Sequence, residues 1–127
     1  MTIGQLEHAV SLITEEERMR SAVITDATQP DNPIIFVSDA FEMHTGYSRR
    51  EAVGRNPRFL QGPQTNLEDT AAFRKAIAAG DTAKIDIMNY RKDGTPFVHR
   101  VHLKAIRNDA GEITNFVAVQ QPIVPED

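Results

Sequence analysis

Gly54-Arg55-Asn56-Pro57-Arg58-Phe59-Leu60-Gln61-Gly62 gathers much of the chemistry-bearing character of this 127-residue chain into one stretch. Glycines bracket two arginines, an asparagine, a glutamine and an apolar Phe59-Leu60 pair. Polar groups of fixed geometry beside apolar ones are what a pocket for a flat, partly charged ligand requires. Pro57 suits the first position of a short helix, where the N–H it lacks would have no partner anyway. The stretch therefore reads as a loop, a short helix from Pro57, and an exit at Gly62-Pro63.

A second constellation comes from side-chain alternation. Lys84 to Arg91, Pro96 to Arg107 and Ile113 to Gln121 read as strands. The turns Lys92-Asp93-Gly94 and Asn108-Asp109-Ala110-Gly111 make them two successive antiparallel hairpins. Alternate residues share a face. That groups Ile85, Ile87 and Asn89; then Phe97, His99, Val101, Leu103 and Ala105; then Phe116, Ala118 and Gln120. Each strand places one polar side chain (Asn89, His99 or Gln120) on an otherwise apolar face. An unpartnered buried polar group costs about 1–3 kcal/mol, so something polar must meet all three, and a planar heterocycle lying on the sheet would serve. Taken singly, Asn89 could cap a turn and His99 could be a structural histidine bonded to a neighbour. Met88, Val98, Ile106, Val117 and Val119 point to the opposite face, which is too apolar for water. The N-terminal helix or a second subunit is expected to cover it.

The elements that position these groups follow in order. Gln5 to about Arg20 reads as one helix, with a thin stripe of Leu6, Val10 and Ile13; the run Glu15-Glu16-Glu17 is a solvated face. Ser21 to Thr25 and Ile34 to Val37 read as a hairpin across the turn-rich Asp26 to Pro33. Asp39 to His44 is a short helix ending at Gly46, and Ser48-x-x-Glu51 is a capping box for another. Thr65-x-x-Glu68 reads as a further capping box, opening a helix that carries Leu67, Ala71, Phe73, Ala76 and Ile77 and ends at Gly80. Met43 and Met88 read as packing residues. The fold class is α+β: a five-stranded antiparallel sheet with short helices inserted between strands two and three, plus an N-terminal helix.

Composition bounds the function. The length suits one domain with a real core. At 40% hydrophobic and 25% charged the chain is ordinary globular protein. A formal charge of −4 argues against a nucleic-acid or anionic-membrane binder. With no membrane-length apolar run and no signal pattern, a soluble cytoplasmic protein is expected. The chain has no cysteine, which excludes disulfides, thiolate metal ligands and thiol nucleophiles. His8, His44 and the remaining residues offer no metal-ligand spacing.

Gly54-Arg55-Asn56-x-Arg58-Phe59-Leu60-Gln61-Gly62 resembles the signature of LOV domains, the flavin-binding blue-light sensors of the PAS superfamily. The likeness covers roughly residues 21–121. It is supported by Thr25-Asp26, Pro30-Asp31-Asn32-Pro33-Ile34-Ile35-Phe36, Ser38-Asp39-Ala40-Phe41, Thr45-Gly46-Tyr47-Ser48, Asn89-Tyr90-x-Lys92-Asp93-Gly94 and Gln120. The resemblance implies a PAS-like fold for residues 21–127, a helical extension over residues 1–20, and an FMN held between the inserted helices and the sheet. By position Arg58 and Arg74 match the arginines that bind the FMN phosphate, a task that suits their guanidinium forks. Asn56 and Gln61 match contacts to the ribityl chain. Asn89 and Gln120 match residues bonded to the polar edge of the ring. Thr25, Asn32, Leu60 and Phe116 match ring-wall or nearby positions, and Val101 is assigned to the same wall.

Two departures matter. The family's photoactive cysteine aligns with Pro57, so no thiol–flavin adduct is expected. The family's second edge asparagine aligns with His99, whose imidazole cannot mimic both ends of an amide. Ala118 stands where glycine is usual. The leading expectation is an FMN-binding sensory module without adduct chemistry, fluorescent and photoreducible, not an enzyme. It is expected to be a homodimer joined through the outer sheet face and the N-terminal helix, with signalling through Gln120. An engineered fluorescent reporter or photosensitiser is the same reading with another origin for Pro57. A flavin oxidoreductase and a ligand-free PAS-like dimerisation module are the competing classes. NADH turnover tests the former, and a colourless protein that takes up no flavin would mark the latter.

Overall fold

The computed structural model describes residues 3–123. In order these are helices α1 (Ile3–Ser11) and α2 (Glu15–Met19), strands β1 (Ser21–Asp26) and β2 (Ile34–Val37), and helices α3 (Asp39–Thr45) and α4 (Arg49–Ala52). A 3₁₀ helix (Pro57–Leu60), helix α5 (Leu67–Ala79) and strands β3 (Ala83–Tyr90), β4 (Pro96–Arg107) and β5 (Ile113–Ile123) complete the chain. All strands lie in one antiparallel sheet of order β2-β1-β5-β4-β3. This is the α+β architecture read from the sequence, with every helix between β2 and β3 packed toward one face.

The single N-terminal helix expected over Gln5 to Arg20 is two helices. Thr14 and Glu17 form a reciprocal capping box that starts α2 afresh: the Glu17 N–H donates to Thr14 Oγ1 at 3.0 Å and the Thr14 N–H to Glu17 Oε1 at 2.9 Å. A residue that caps a new helix has extended backbone and so interrupts the old one. The break turns Ile13 inward. Ile13 packs with Ala22, Ile24, Phe36 and Val117, and Val10, Leu12, Ile106 and Val119 close around them. The apolar outer face of β1, β2 and β5 is thus covered from within the chain. Lys104 Nζ on β4 donates to Glu17 at 3.0 Å and pins α2 to the same face. Leu6, assigned to the helical stripe, lies outside the described side chains, as do residues 1–2 and 124–127 of the two-part division.

On the inner face the helices are set by their caps. Ser38 caps α3 and also staples it to the sheet, accepting from the Ala22 N–H at 2.8 Å and donating to the Arg20 carbonyl at 2.7 Å. Gly46 at φ +78° ends α3 in the left-handed turn that only glycine adopts cheaply. Ser48 and Glu51 form the expected capping box of α4. A second core gathers between these helices and β1–β2, around Val23, Ile34, Val37, Phe41, Ala52 and Leu60.

Other expectations are corrected. Thr65 does not cap α5. Asn66 does, its side chain accepting from the Glu68 N–H at 2.8 Å. Thr65 Oγ1 instead donates to the Met88 carbonyl at 2.7 Å and accepts from the Gly62 N–H at 3.0 Å, tying the loop to β3. Leu67 and Met43 are exposed (79% and 83%), so neither packs where it was placed. Phe59 is only half-buried, held edge-on to Tyr47 at 4.9 Å and under Arg55. β5 runs through Pro122 to Ile123, past its expected end.

Candidate functional site

The 3₁₀ helix, α5 and the inner sheet face enclose a cavity of about 350 Å³. Asn56 begins the first wall, its side chain accepting from the Arg58 N–H at 3.0 Å with Pro57 at the first helical position. Asn56, Pro57, Arg58, Leu60 and Gln61 all line the cavity. α5 supplies Thr70, Phe73, Arg74 and Ile77. The sheet supplies Ile87, Asn89, Val101, Ala118 and Gln120. An adjoining cleft of about 410 Å³ shares Asn56, Arg74 and Ile77 with it and is lined also by Asn32 and Phe116. The paired space has the size and mixed lining of a small-molecule site.

Of the residues read from the sequence, only Thr25 and His99 line neither space. Both stand beside residues that do: Thr25 pairs with Phe116 and His99 with Ile87. Thr70, Phe73, Ile77 and Ile87 were not assigned to the site. The signal was present, since Thr70, Phe73, Arg74 and Ile77 follow the i, i+3, i+4, i+7 spacing of one helix face.

The polar groups split by their partners. Arg58 pairs with the Asp31 carboxylate and stays more than half exposed. Arg74 has no ion-pair partner among the described residues and is also exposed. Two cations therefore reach the mouth of the cavity. Asp31 and Asn32 both hold positive φ (65° and 50°), and Asn56 Nδ2 donates to the Asp31 carbonyl at 2.7 Å, so the β1–β2 turn is clamped against the 3₁₀ helix. Inside, Gln120 Oε1 accepts from Ser21 Oγ at 3.2 Å. His99 Nδ1 lies 2.9 Å from Asn89 Oδ1, with the Phe97 ring edge-on at 4.4 Å. Burial, and then the charges of His44 and Arg91, push the His99 imidazole down to about 3, so it is neutral.

Thr25 Oγ1, Asn32 Oδ1 and His99 Nε2 are buried without a hydrogen-bond partner. Native interiors satisfy nearly all such atoms. Asn32 lines the adjoining cleft, and Thr25 and His99 pair with the lining residues Phe116 and Ile87, so these orphans beside the paired space fit a polar, planar guest with a phosphate at the exposed, cationic end. A flavin mononucleotide has that form. A larger groove of about 910 Å³ runs between α1 and the β1–β2 turn, but its carboxylate is spent: Asp26 accepts from Thr28 and from Gln29 Nε2. Among the described residues no cluster of His, Asp and Glu could hold a metal ion, and no helix is long and apolar enough to cross a membrane.

Residues 20–123 match the PAS domain family. Phototropin-2 of Oryza sativa subsp. japonica is 47% identical over 98 residues, 77% of this chain and 11% of that protein. The blue-light photoreceptor of Listeria monocytogenes is 45% identical over 104 residues, 82% of this chain and 41% of that protein. The chain thus spans less than half the length of these curated relatives. Among solved structures, the light state of the Aureochrome1 LOV domain superposes with a TM-score of 0.81 at 39% identity, covering 88% of this chain and 89% of that one. The LOV domain of the Erythrobacter litoralis EL346 blue-light-activated histidine kinase gives 0.79 at 38% identity, covering 82% and 95%.

Proposed function

The chain belongs to the LOV domains of the PAS superfamily, and from that membership we propose that it binds FMN as a blue-light sensory module that forms no thiol adduct. The observation that carries the reading is a cavity lined by Asn56 and Gln61 on the 3₁₀ helix and by Asn89 and Gln120 on the sheet, with Arg58 and Arg74 at its open end and unpartnered buried polar atoms on Thr25, Asn32 and His99 beside its lining.

Arg58 and Arg74 would hold the phosphate, each guanidinium offering paired donors to its oxygens. Asn56 and Gln61 would line the path of the ribityl chain. Leu60, Phe73, Ile87 and Val101 would enclose the ring and exclude water. When bound, FMN supplies blue-light absorption and an excited state able to take an electron. The chain contains no cysteine, and Pro57, which lines the cavity, has no nucleophilic atom where the family's thiol stands. Gln120 is the output group in this reading. Its amide meets both the cavity and Ser21 on β1, so a change in its partner is felt on two neighbouring strands. The histidine-kinase activity named for some relatives is not assigned to this chain, which spans 21% of one such protein.

We also propose a homodimer that uses the outer sheet face beside the N-terminal helices, where Met19 is 79% exposed and Met88 and Val98 are half-buried. Light scattering at increasing concentration tests it, and a constant monomer mass overturns it.

The test of the main reading is a spectrum of the purified protein followed by mass analysis of the released chromophore. A yellow protein releasing FMN is the expected result. A colourless protein that takes up no added FMN, or one that prefers riboflavin when both are offered, overturns the reading.

A further inference from the structure

β3 is an edge of the sheet, and two hydrogen bonds fix the phase of its backbone. Just past the strand, the Arg91 N–H donates to the Thr95 carbonyl across the hairpin at 2.9 Å. Opposite residues of an antiparallel pair alternate between exchanging both hydrogen bonds and exchanging none. Ile85, Ile87 and Asn89, an even number of steps from Arg91, therefore spend their backbone groups on β4. Lys84, Asp86 and Met88 turn theirs outward. The Met88 carbonyl agrees, since Thr65 Oγ1 donates to it at 2.7 Å, and that loop closes the edge at Met88. Nothing among the described residues bonds the outward N–H or C=O of Lys84 or Asp86.

This open stretch is flanked by charges of both signs. α5 and the edge border a groove of about 380 Å³ lined by Asp69, Ala72, Lys84, Ile85, Asp86 and Arg100. Arg100 donates to Asp86 from Nε at 2.9 Å and from Nη2 at 3.1 Å. A carboxylate has about four acceptor positions, so Asp86 keeps capacity for a second cation. Lys84 is exposed and has no ion-pair partner among the described residues. The groove thus balances two carboxylates against two cations, although the chain as a whole carries −4. A second copy meets no net repulsion here. The small Ala72 side chain on the α5 wall leaves room for its backbone.

We propose that the β3 edge pairs with the same edge of a second copy, antiparallel about a two-fold axis at Ile85, and so joins two five-stranded sheets. Outward residues bond only to outward residues, which restricts the register. An axis at Lys84 sets lysine against lysine, and an axis at Asp86 sets aspartate against aspartate. Like charges directly opposite destabilise a strand pair. The axis at Ile85 sets Lys84 of each copy opposite Asp86 of the other, on the side where Arg100 already holds that carboxylate. The two Ile85 side chains, half-buried in the single chain, meet over the groove. Charged edge residues ordinarily keep strands apart; here their order selects one register. The pairing uses the strand's edge and not the outer sheet face, and it does not depend on the flavin.

The chain has no cysteine, so one introduced thiol reports alone. Ile85→Cys in the whole chain, treated with a mild oxidant, should give a disulfide-linked dimer. Residues opposite each other without mutual hydrogen bonds have Cα atoms about 4.5 Å apart, within disulfide reach. Ala83→Cys lies on the same strand but about 14 Å from its copy in this register, and should stay unlinked. In the Ile85→Cys background, Lys84→Asp and Asp86→Lys should each cut the cross-linking rate about tenfold, because two attractive cross-strand pairs become repulsive. An equal mixture of the two variants should recover the rate, since the mixed pair again sets a carboxylate opposite an ammonium at both positions. Linking no faster at position 85 than at position 83 overturns the proposal, as it would if a strand of another protein were the occupant. A mixture that links no faster than either variant alone overturns it too.

Discussion

Gly62 lies flat against the ring of Tyr90: a Cβ built on Gly62 would sit 2.4 Å from Tyr90 Cε2. The ring cannot swing away freely, because Tyr90 Oη accepts from the Gln64 N–H at 2.8 Å. Gly62→Ala should therefore destabilise the fold by about 1–3 kcal/mol, the usual cost of overpacking. Denaturant unfolding measures it. The cost should shrink in a Tyr90→Leu background, and equal costs in both backgrounds would disprove the clash.

Arg58→Ala and Arg74→Ala should each weaken FMN binding about ten- to a hundredfold, the range for losing a charge-assisted hydrogen bond. Riboflavin, which lacks the phosphate, should change less than about twofold (well under the 1.4 kcal/mol that a tenfold change represents). Titration of the apoprotein with both ligands checks this. Equal losses for the two would remove the arginines from the phosphate.

The pH dependence of stability has a histidine part with a definite sign. His99 is held down to about 3 when folded, against an ordinary value of 6.5. The unfolded chain thus binds more protons between those values, and stability falls as pH drops. The contribution is fully present above pH 6.5 and is lost through that window at up to about 1.4 kcal/mol per pH unit. His44 is also lowered, by burial and by Arg91, and adds the same sign. His99→Asn should flatten the slope of unfolding free energy between about pH 6.5 and 4.5 (above the carboxylate range). An unchanged slope would contradict the buried neutral ring.

Blue light should leave the absorption spectrum of the FMN-loaded protein unchanged when no reductant is present, with fluorescence persisting. With reductant, slow bleaching reversed by air is expected. Pro57→Cys should convert this response into bleaching without reductant that recovers in the dark. If the unmodified protein already shows that cycle, another side chain is adding to the ring.

Thr65→Val and Asn66→Ala separate two adjacent jobs. Thr65→Val removes the bridge from the Gly62 N–H to the Met88 carbonyl and should cost about 1–2 kcal/mol. Asn66→Ala removes the α5 cap and should cost about 1 kcal/mol. Hydrogen exchange should show early opening of the 61–66 loop in the first variant and of the α5 N-terminus in the second.

Thr65 also shows where the sequence stops being legible. Thr65-x-x-Glu68 satisfies a capping pattern, yet Asn66-x-Glu68 is what forms, because β3 offers Thr65 a carbonyl no local pattern records. The break at Thr14 was readable, since Thr14-x-x-Glu17 is the same motif as Ser48-x-x-Glu51, but a run of three glutamates masked it. Asn89, His99 and Gln120 were placed on one face without coordinates, because strand alternation admits only two choices. The cavity side of α5 was half seen: Arg74 came from resemblance, while Thr70 shared its face by spacing alone. The Asn89–His99 bond was beyond reach, because alternation gives faces and not contacts between diagonal neighbours.

The strand order puts β5 between β1 and β4, and Ser21 reaches Gln120 across 99 residues of sequence. A chain leaving the ribosome can pair β1 with β2 and β3 with β4, but these two hairpins have no common edge until β5 arrives to join them. Ala118 and Gln120 belong to β5, so the cavity floor begun by Ile87, Asn89 and Val101 is incomplete until that strand has joined the sheet. Closing loops of this length is slow relative to local contacts. The cavity is therefore complete only once β5 has docked between β1 and β4. An interruption of synthesis between residues 107 and 113 leaves two unjoined hairpins with open edges, the form in which strands most readily pair with the wrong chain.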